Sequence, residues 1–499
     1  MQIVGHFING KVTKEAPETD AKADVFNPAT GQVIKSVSLA SQQTVQEAIN
    51  AAAMAFPQWR DTPPVKRARI MFKFKMLLEQ HADEIASLIS AEHGKILHDA
   101  LGEFGRGVEN VEYACGVPEL LKGEHSKNAG SGIDSWSEFQ PLGVVAGISP
   151  FNFPVMVPMW MFPLAIVCGN TFVLKPSEKA PSAPLRIAEL LHEAGLPQGV
   201  FNVVNGDKEA VDTIIDSQRV QAISFVGSTP VAKSIYERGT ANHKRVQALG
   251  GAKNHAVVMP DADIDNAVSA IMGAAYGSCG ERCMAISVVV AVGDDVGNTL
   301  VEVLKQKIFT LKVGQGDDNN NDMGPLISKL HLEKVISYIE TGVKEGATLV
   351  ADGRNFSVKN HEKGFFLHAS LFDHVEPTMK IYQDEIFGPV LCVLRVNNLE
   401  QAMTLINKHE FGNGTCVFTQ DGGVARFFTD HIKVGMVGVN VPLPVPIASQ
   451  SFGGWKSSLF GDLYAYGPDG VRFYTRRKTI TQRWSSSGIE ERVSFSFPN

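Results

Sequence analysis

Between residues 143 and 250 short apolar runs alternate with helix-length segments, the rhythm of parallel strand–helix–strand units. Strands are predicted over 144–148, 171–174, 200–204, 222–226 and 246–249. A doubly wound sheet built from them would bind ligands beyond the carboxyl ends of its strands. A second α/β segment follows residue 250, with strands near 255–259, 287–292 and 390–396 and helices near 264–275 and 299–311. Ahead of both, from Ser41 to Lys122, stripes such as Ile70, Phe72, Phe74, Leu77, Leu78 and Ile85, Leu88, Ile89 predict three or four amphipathic helices, interrupted at Gly94 and Gly105. Residues up to Gly31 read as short strands, with turns at Asn9-Gly10 and at Asn27-Pro-Ala-Thr-Gly31.

Two stretches depart from this pattern. The most apolar run, Val155 to Cys168, is too short to span a bilayer and contains Pro158 and Pro163, so it reads as a buried helix entered through prolines. Residues 123–142 are polar at first and then alternate through Ile133, Ser135, Trp136, Glu138 and Phe139, the pattern of an exposed hairpin. The tail from Arg472 to Asn499 ends in the alternating Val493-Ser-Phe-Ser-Phe497, a further strand. Exposed strand edges need a partner, which points to a homo-oligomer, dimer or tetramer.

The length of 499 residues exceeds what one hydrophobic core supports, in keeping with two or three lobes. Lys and Arg number 46 against 53 Asp and Glu, a net charge of −7, which gives no global support for a nucleic-acid or anionic-membrane partner. The ligand is therefore expected to be a small molecule, and the basic cluster Arg476, Arg477 and Lys478 a solvated face. Six scattered cysteines make no disulfide framework, and the N-terminus lacks the marks of a signal peptide or presequence. Both features lead to an expected cytoplasmic location.

The candidate nucleophile is Cys283. It lies in Gly277-Ser-Cys-Gly-Glu-Arg-Cys283, after a helical stripe of Ile264, Val268, Ile271, Met272 and Ala275 that Gly277 and Gly280 bring to an end. Arg282 beside it would favour the thiolate; the alternative is a small buried hydrophobe. Asn152, stiffly flanked by Pro150, Phe151, Phe153 and Pro154, suits an oxyanion donor or, equally, a turn. Gly227-Ser228 opens a helix after a strand, which serves as a phosphate cradle or as a plain connector. Lys175 and Glu178 would bond ribose hydroxyls, the carboxylate favouring NAD over NADP, or form a surface ion pair. Cys279 and Cys283 have no second ligand pair nearby, so no metal is expected.

Taken together, Asn27-Pro-Ala-Thr-Gly31, Pro150-Phe-Asn-Phe-Pro154, Lys175-Pro-Ser-Glu178, Phe225-Val-Gly-Ser228, Leu249-Gly-Gly251, Cys283, Glu385-Ile-Phe-Gly-Pro389 and Phe452-Gly-Gly454 resemble the aldehyde dehydrogenase superfamily along nearly the whole chain. The resemblance implies a Rossmann-like NAD-binding lobe over 1–122 and 143–250, an α/β catalytic lobe over 251–470, and a small β oligomerisation arm over 123–142 and 471–499. It implies Cys283 as nucleophile and Asn152 as oxyanion donor. Phe151, Lys175, Glu178, Gly227, Ser228, Glu385 and Phe387 would be NAD contacts, with Glu385 and Phe387 at the nicotinamide riboside end.

One departure carries the most weight. Hydrolytic members place a glutamate before Leu-Gly-Gly, whereas this chain has Ala248, and alanine cannot activate water. With Gly280-Glu-Arg-Cys-Met-Ala285, Gly251-Ala-Lys-Asn-His255 and Phe452-Gly-Gly-Trp-Lys-Ser457, this resembles the CoA-acylating subgroup that acts on methylmalonate and malonate semialdehydes. Its resemblance implies NAD-dependent oxidation and decarboxylation to propionyl-CoA or acetyl-CoA, with CoA as cosubstrate. It also implies that Arg106 and Arg282 hold the substrate carboxylate, and that Phe153 and Trp160 line the pocket. From the residues alone, Arg106 would pair with Glu103 one helical turn away. The rival is a hydrolytic enzyme for another small aldehyde, with Glu281 or Glu385 as the base.

Overall fold

The computed structural model describes residues 2–13 and 17–484. The first lobe is built on an eight-stranded sheet whose five central strands are parallel, in the spatial order Arg245–Leu249, Val220–Val226, Val144–Ile148, Thr171–Lys175, Phe201–Val203. The parallel part begins at Val144–Ile148, builds outward on one side and then crosses to the other, so the winding reverses between Val144–Ile148 and Val220–Val226. Loops leaving the sheet diverge there and open a ligand crevice. Antiparallel strands close both edges, Phe7–Ile8 with Lys11–Val12 on one and Leu459–Phe460 on the other. The first hairpin turns at Asn9 and Gly10 with φ of 52° and 77°, the left-handed pair that a two-residue turn requires.

The second lobe carries a seven-stranded sheet in the order Thr348–Ala351, Ser370–Asp373, Val390–Val396, Ile286–Val292, Asn254–Val258, Gly414–Phe418, Met436–Val439, parallel except at Thr348–Ala351. Every strand expected in the two lobes is present within two residues of its expected ends. Leu459–Phe460 fall within the stretch 251–470, yet they pair with Ala248 and Leu249 of the first sheet. Phe452, Tyr466, Phe473 and Tyr474 likewise join the first lobe's apolar core. His125–Gly130, Ile133–Pro141 and Thr475–Arg483 form a separate antiparallel sheet, and the alternating segment 493–497 lies outside the described residues. No helix among the described residues is long and apolar enough to cross a membrane.

Four long helices, Gln42–Arg60, Pro64–Gln80, Ala82–His93 and Leu97–Cys115, fill the expected helical region. Gly94 ends one of them at φ 92°, as expected. Gly105 does not interrupt; it sits inside Leu97–Cys115, where glycine costs only about 1 kcal/mol against alanine. Phe72 leaves the predicted stripe and stands 56% exposed, because the buried face of its helix runs through Ala68, Met71, Phe74 and Leu78.

Met156–Val167 is buried at every residue, as a helix apolar all round must be. It packs on Leu97–Cys115, and its entry is fixed by one carboxylate. Glu103 Oε1 accepts the N–H groups of Val155 and Met156 at 2.9 and 3.2 Å, while Oε2 accepts Lys95 Nζ at 2.8 Å. Lys95 also donates to the Asn152 carbonyl at 2.6 Å and lies 4.4 Å from the centre of the Phe153 ring. Both side chains of the pair are at most 1% exposed. Glu103→Ala is expected to destabilise the fold by roughly 3–5 kcal/mol, the cost of stranding a buried charge. Denaturant unfolding checks this; a loss under about 1 kcal/mol, the level of a surface pair, would contradict it.

Candidate active site

The nucleophile loop hangs from the helix Ile264–Tyr276, whose first turn is capped by Asp263 accepting the Asn266 N–H at 3.1 Å. Its buried face, Ala267, Val268, Ile271, Ala274 and Ala275, fixes it in the second lobe. The helix ends at Gly277, after which Ser278 and Cys279 adopt φ of 53° and 54°, strained for residues that carry a Cβ. Gly280 continues the turn at φ 71°, where a Cβ would collide with the Gly388 carbonyl. Cys283 emerges half-buried, its main chain clamped: its carbonyl accepts Asn254 Nδ2 at 2.9 Å and Asn413 Nδ2 at 3.1 Å. Neither asparagine was singled out in sequence, although Asn254 lies in the quoted Gly251-Ala-Lys-Asn-His255.

Cys283 opens onto a cavity of about 260 Å³ walled by Arg106, Phe153, Trp160, Arg282 and Phe452. The structure thus brings together Cys283, expected as the nucleophile, the two arginines expected to hold a carboxylate, and the two aromatics expected in the pocket. Asn152 is buried beside the loop and donates Nδ2 to the Glu281 carbonyl at 3.0 Å, which leaves its second amide N–H for an oxyanion. The N–H groups of Cys283 and Met284 face the sulfur.

Two expectations about the arginines need correction. Arg282 does not make the resting sulfur a thiolate: burial dominates, the nearby Glu385 adds to it, and the thiol is pushed up to about 12. The Arg282 guanidinium is turned instead to Asp99, 2.7 Å away. Arg106 pairs not with Glu103 but with Glu109 at 2.8 Å, and its Nη2 donates to the Val445 and Pro446 carbonyls at 3.0 and 2.9 Å. Glu103 is unavailable because it is buried against Lys95.

On the other side of the sulfur a narrow crevice is lined by Cys283, Glu385 and Phe387. Glu385 Oε1 accepts the Ala252 N–H at 2.9 Å, its other oxygen stands against Gly251, and burial raises its pKa. Phe387 holds φ 60°, fixed by His331 Nε2 2.7 Å from its carbonyl oxygen and by the Phe151 ring edge-on at 6.0 Å. Phe151, Lys175 and Gly227 all stand at the carboxyl ends of first-sheet strands. Lys175 is buried and 3.4 Å from the more exposed Glu178, so the two do not form a surface ion pair. Ser228 begins the thirteen-residue helix Thr229–Ala241 without a side-chain capping bond.

Glu281 was a candidate base in sequence, but it is wholly buried and turned to the loop's rear. Its Oε1 accepts the Ile327 N–H at 3.2 Å, and His93 and His331 lie 3.7 and 3.6 Å from its carboxyl oxygens. Burial pushes Glu281 up to about 8 and lowers both histidines. Ala248 is also wholly buried, paired between Phe225 and Phe460.

The sequence profile of the aldehyde dehydrogenase family matches residues 15–480. The chain belongs to the aldehyde dehydrogenase family. Among curated aldehyde dehydrogenases it is 64% identical, over 100% of both chains, to a malonate-semialdehyde dehydrogenase of Pseudomonas aeruginosa. Its fold is similar, at a TM-score of 0.96 and 65% identity, to a crystal structure of methylmalonate-semialdehyde dehydrogenase from Oceanimonas doudoroffii, over 98% of this chain and 100% of that one. A Sinorhizobium meliloti protein assigned the same activity and crystallised with NAD has a TM-score of 0.96 at 51% identity, over 98% and 99% of the two chains.

Because Glu281 holds its proton more tightly folded, near 8, than at its ordinary 4.5, its contribution to stability is complete below about 4.5 and is lost as pH rises toward 8. The lowered histidines act on the acid side of 6.5 and do not produce this loss. Glu281→Gln, which stays neutral, is expected to melt higher than the parent at pH 8, with the gap closing at pH 5. Thermal melts at the two pH values check it; an equal gap at both would count against the buried, protonated carboxyl.

Proposed function

We propose that this protein is an NAD-dependent, CoA-acylating dehydrogenase that oxidises and decarboxylates malonate and methylmalonate semialdehydes to acetyl-CoA and propionyl-CoA. The observation that carries the reading is Ala248, a wholly buried alanine at the sequence position where hydrolytic aldehyde dehydrogenases place a glutamate, which provides no base for water. The two arginines beside Cys283 suit a substrate bearing a carboxylate. The names of the relatives from P. aeruginosa, O. doudoroffii and S. meliloti agree with this chemistry.

The residues fit a dinucleotide. The crevice at the winding reversal presents the buried ammonium of Lys175, the uncapped start of Thr229–Ala241 for a phosphate, and Glu385 with Phe387 next to the sulfur. When bound there, NAD supplies the hydride acceptor. Glu385, with its raised pKa and its place in the sulfur's crevice, receives the thiol proton as Cys283 attacks the aldehyde carbon. The free Asn152 N–H and the Cys283 main-chain N–H hold the resulting oxyanion. After hydride leaves, the acyl thioester carries a carboxylate β to its carbonyl. The C–C electron pair moves into an enolate held by the same donors, carbon dioxide departs, and the enolate carbon takes the proton that Glu385 received from the thiol. The CoA thiol then attacks the carbonyl and returns its proton to the Cys283 sulfur.

The lobe over 1–122 and 143–250 then serves NAD, the lobe over 251–470 the chemistry, and the arm of 123–142 and 471–499 oligomerisation. A cytoplasmic homodimer or homotetramer is supported by the six free cysteines, by the arm and by the open edge Met436–Val439 of the second sheet. A hydrolytic reading finds support in Glu385, which lines one crevice with the sulfur.

An assay of both semialdehydes with and without CoA decides between the two readings. CoA-dependent appearance of acetyl-CoA and propionyl-CoA is expected, and free acid formed at full rate without CoA would sink the acylating assignment. Cys283→Ala is expected to slow NADH formation by at least about a thousand-fold, the scale on which loss of a covalent nucleophile is felt. An unaltered rate would remove the thiol from the mechanism.

A further inference from the structure

Arg106 and Arg282 wall one cavity but are held in different ways. Arg106 rests on a half-exposed glutamate of its own helix and on two loop carbonyls. Arg282 has a seat built from three elements. Its Nη2 lies 2.7 Å from Asp99 Oδ1, each side chain being 17% exposed. Nη1 reaches the Gly273 carbonyl at 3.4 Å, and the guanidinium lies flat over Gly277, where a Cβ would come within 2.6 Å of Nη1. The second oxygen of Asp99 accepts the Ser278 N–H at 2.9 Å. Ser278 is the first of the left-handed residues in the turn that carries Cys283. One carboxylate in the first turn of Leu97–Cys115 therefore joins the cavity's guanidinium to the nucleophile's turn.

We infer that Asp99 is a positioning residue for substrate selection, setting the edge that Arg282 presents to the cavity and thereby the preference for carboxylate-bearing aldehydes over uncharged ones. This rests on the assignment of Arg282 to the substrate carboxylate under Proposed function. A guanidinium has five donors in a rigid fork, and Asp99 and Gly273 use one edge of it, so the rest are aimed without further loss of side-chain freedom. The charge of Asp99 acts in the opposite sense, since it repels an incoming carboxylate. Displacing a positioning group by about 1 Å costs on the order of a hundred-fold in rate, so orientation is expected to outweigh repulsion.

The test is the ratio of kcat/KM for malonate semialdehyde to that for propanal, which bears no carboxylate. Asp99→Asn keeps an acceptor for Ser278 but gives up the ion pair, and the ratio is expected to fall about 10- to 100-fold. Gly277→Ala suits its backbone, at φ −53°, and pushes the guanidinium off its seat with Asp99 intact. The ratio is expected to fall there as well. A ratio that stays constant while both substrates lose equally, or one that rises because repulsion was relieved, overturns the proposal. Arg282→Ala runs alongside: if it lowers the ratio and Asp99→Asn does not, Asp99 alone is refuted, and if neither does, the carboxylate role of Arg282 falls with it.

Discussion

The buried carboxylate of Glu103 is the constraint on which the site depends. A helix with twelve buried residues has nowhere to put its first N–H groups except against an internal acceptor, and Glu103 provides one for Val155 and Met156. A carboxylate so placed needs a cation, and Lys95 is that cation. Lys95 in turn has a donor to spare, and it fixes the carbonyl of Asn152, whose amide points at the nucleophile's turn. The proposed oxyanion donor is therefore held by the electrostatics of helix burial.

The Cys283 sulfur is positioned by a second set of constraints, from the other lobe. Three consecutive residues, Ser278, Cys279 and Gly280, sit at positive φ. Such a turn persists only where its surroundings over-determine it. Asp99 takes the Ser278 N–H, the Gly388 carbonyl occupies the space a Cβ at Gly280 would need, and Asn254 and Asn413 take the Cys283 carbonyl. Glycine is required at 280, where main chain passes where its Cβ would be, and at Gly277 its absent side chain leaves the space that the Arg282 guanidinium occupies.

The sheets and the turn around Cys283 were legible because their signals are local: short apolar runs, a helical stripe, a glycine turn. The apolar helix was legible for the same reason, as a run with no polar face. The partners of charged groups were not. Glu103 and Arg106 are spaced to pair on one helix turn, but Glu103 pairs with Lys95 eight residues back because both face the apolar helix, whose position no local pattern encodes. Arg282 is adjacent to Cys283 in sequence, yet adjacent side chains on a turn diverge, and its guanidinium meets Asp99, 183 residues away. Burial of the thiol, which outweighs that arginine's charge, is likewise a product of tertiary packing.

In the proposed reaction, that burial bears on the order of events after hydride transfer. A thiol that resists ionisation is a poor leaving group, so the acyl group it carries is slow to depart. A β-carboxy acyl thioester must lose carbon dioxide before transfer if acetyl or propionyl products are to form, and a reluctant sulfur gives that step time. The same reluctance opposes release to CoA, an exposed thiol of ordinary acidity, unless charge on the departing sulfur is stabilised at that moment. The N–H groups of Cys283 and Met284 face the sulfur, so the turn holds donors that a departing thiolate needs. Packing that keeps Cys283 neutral at rest and a turn that receives its charge in transit thus favour decarboxylation first and thiol exchange second.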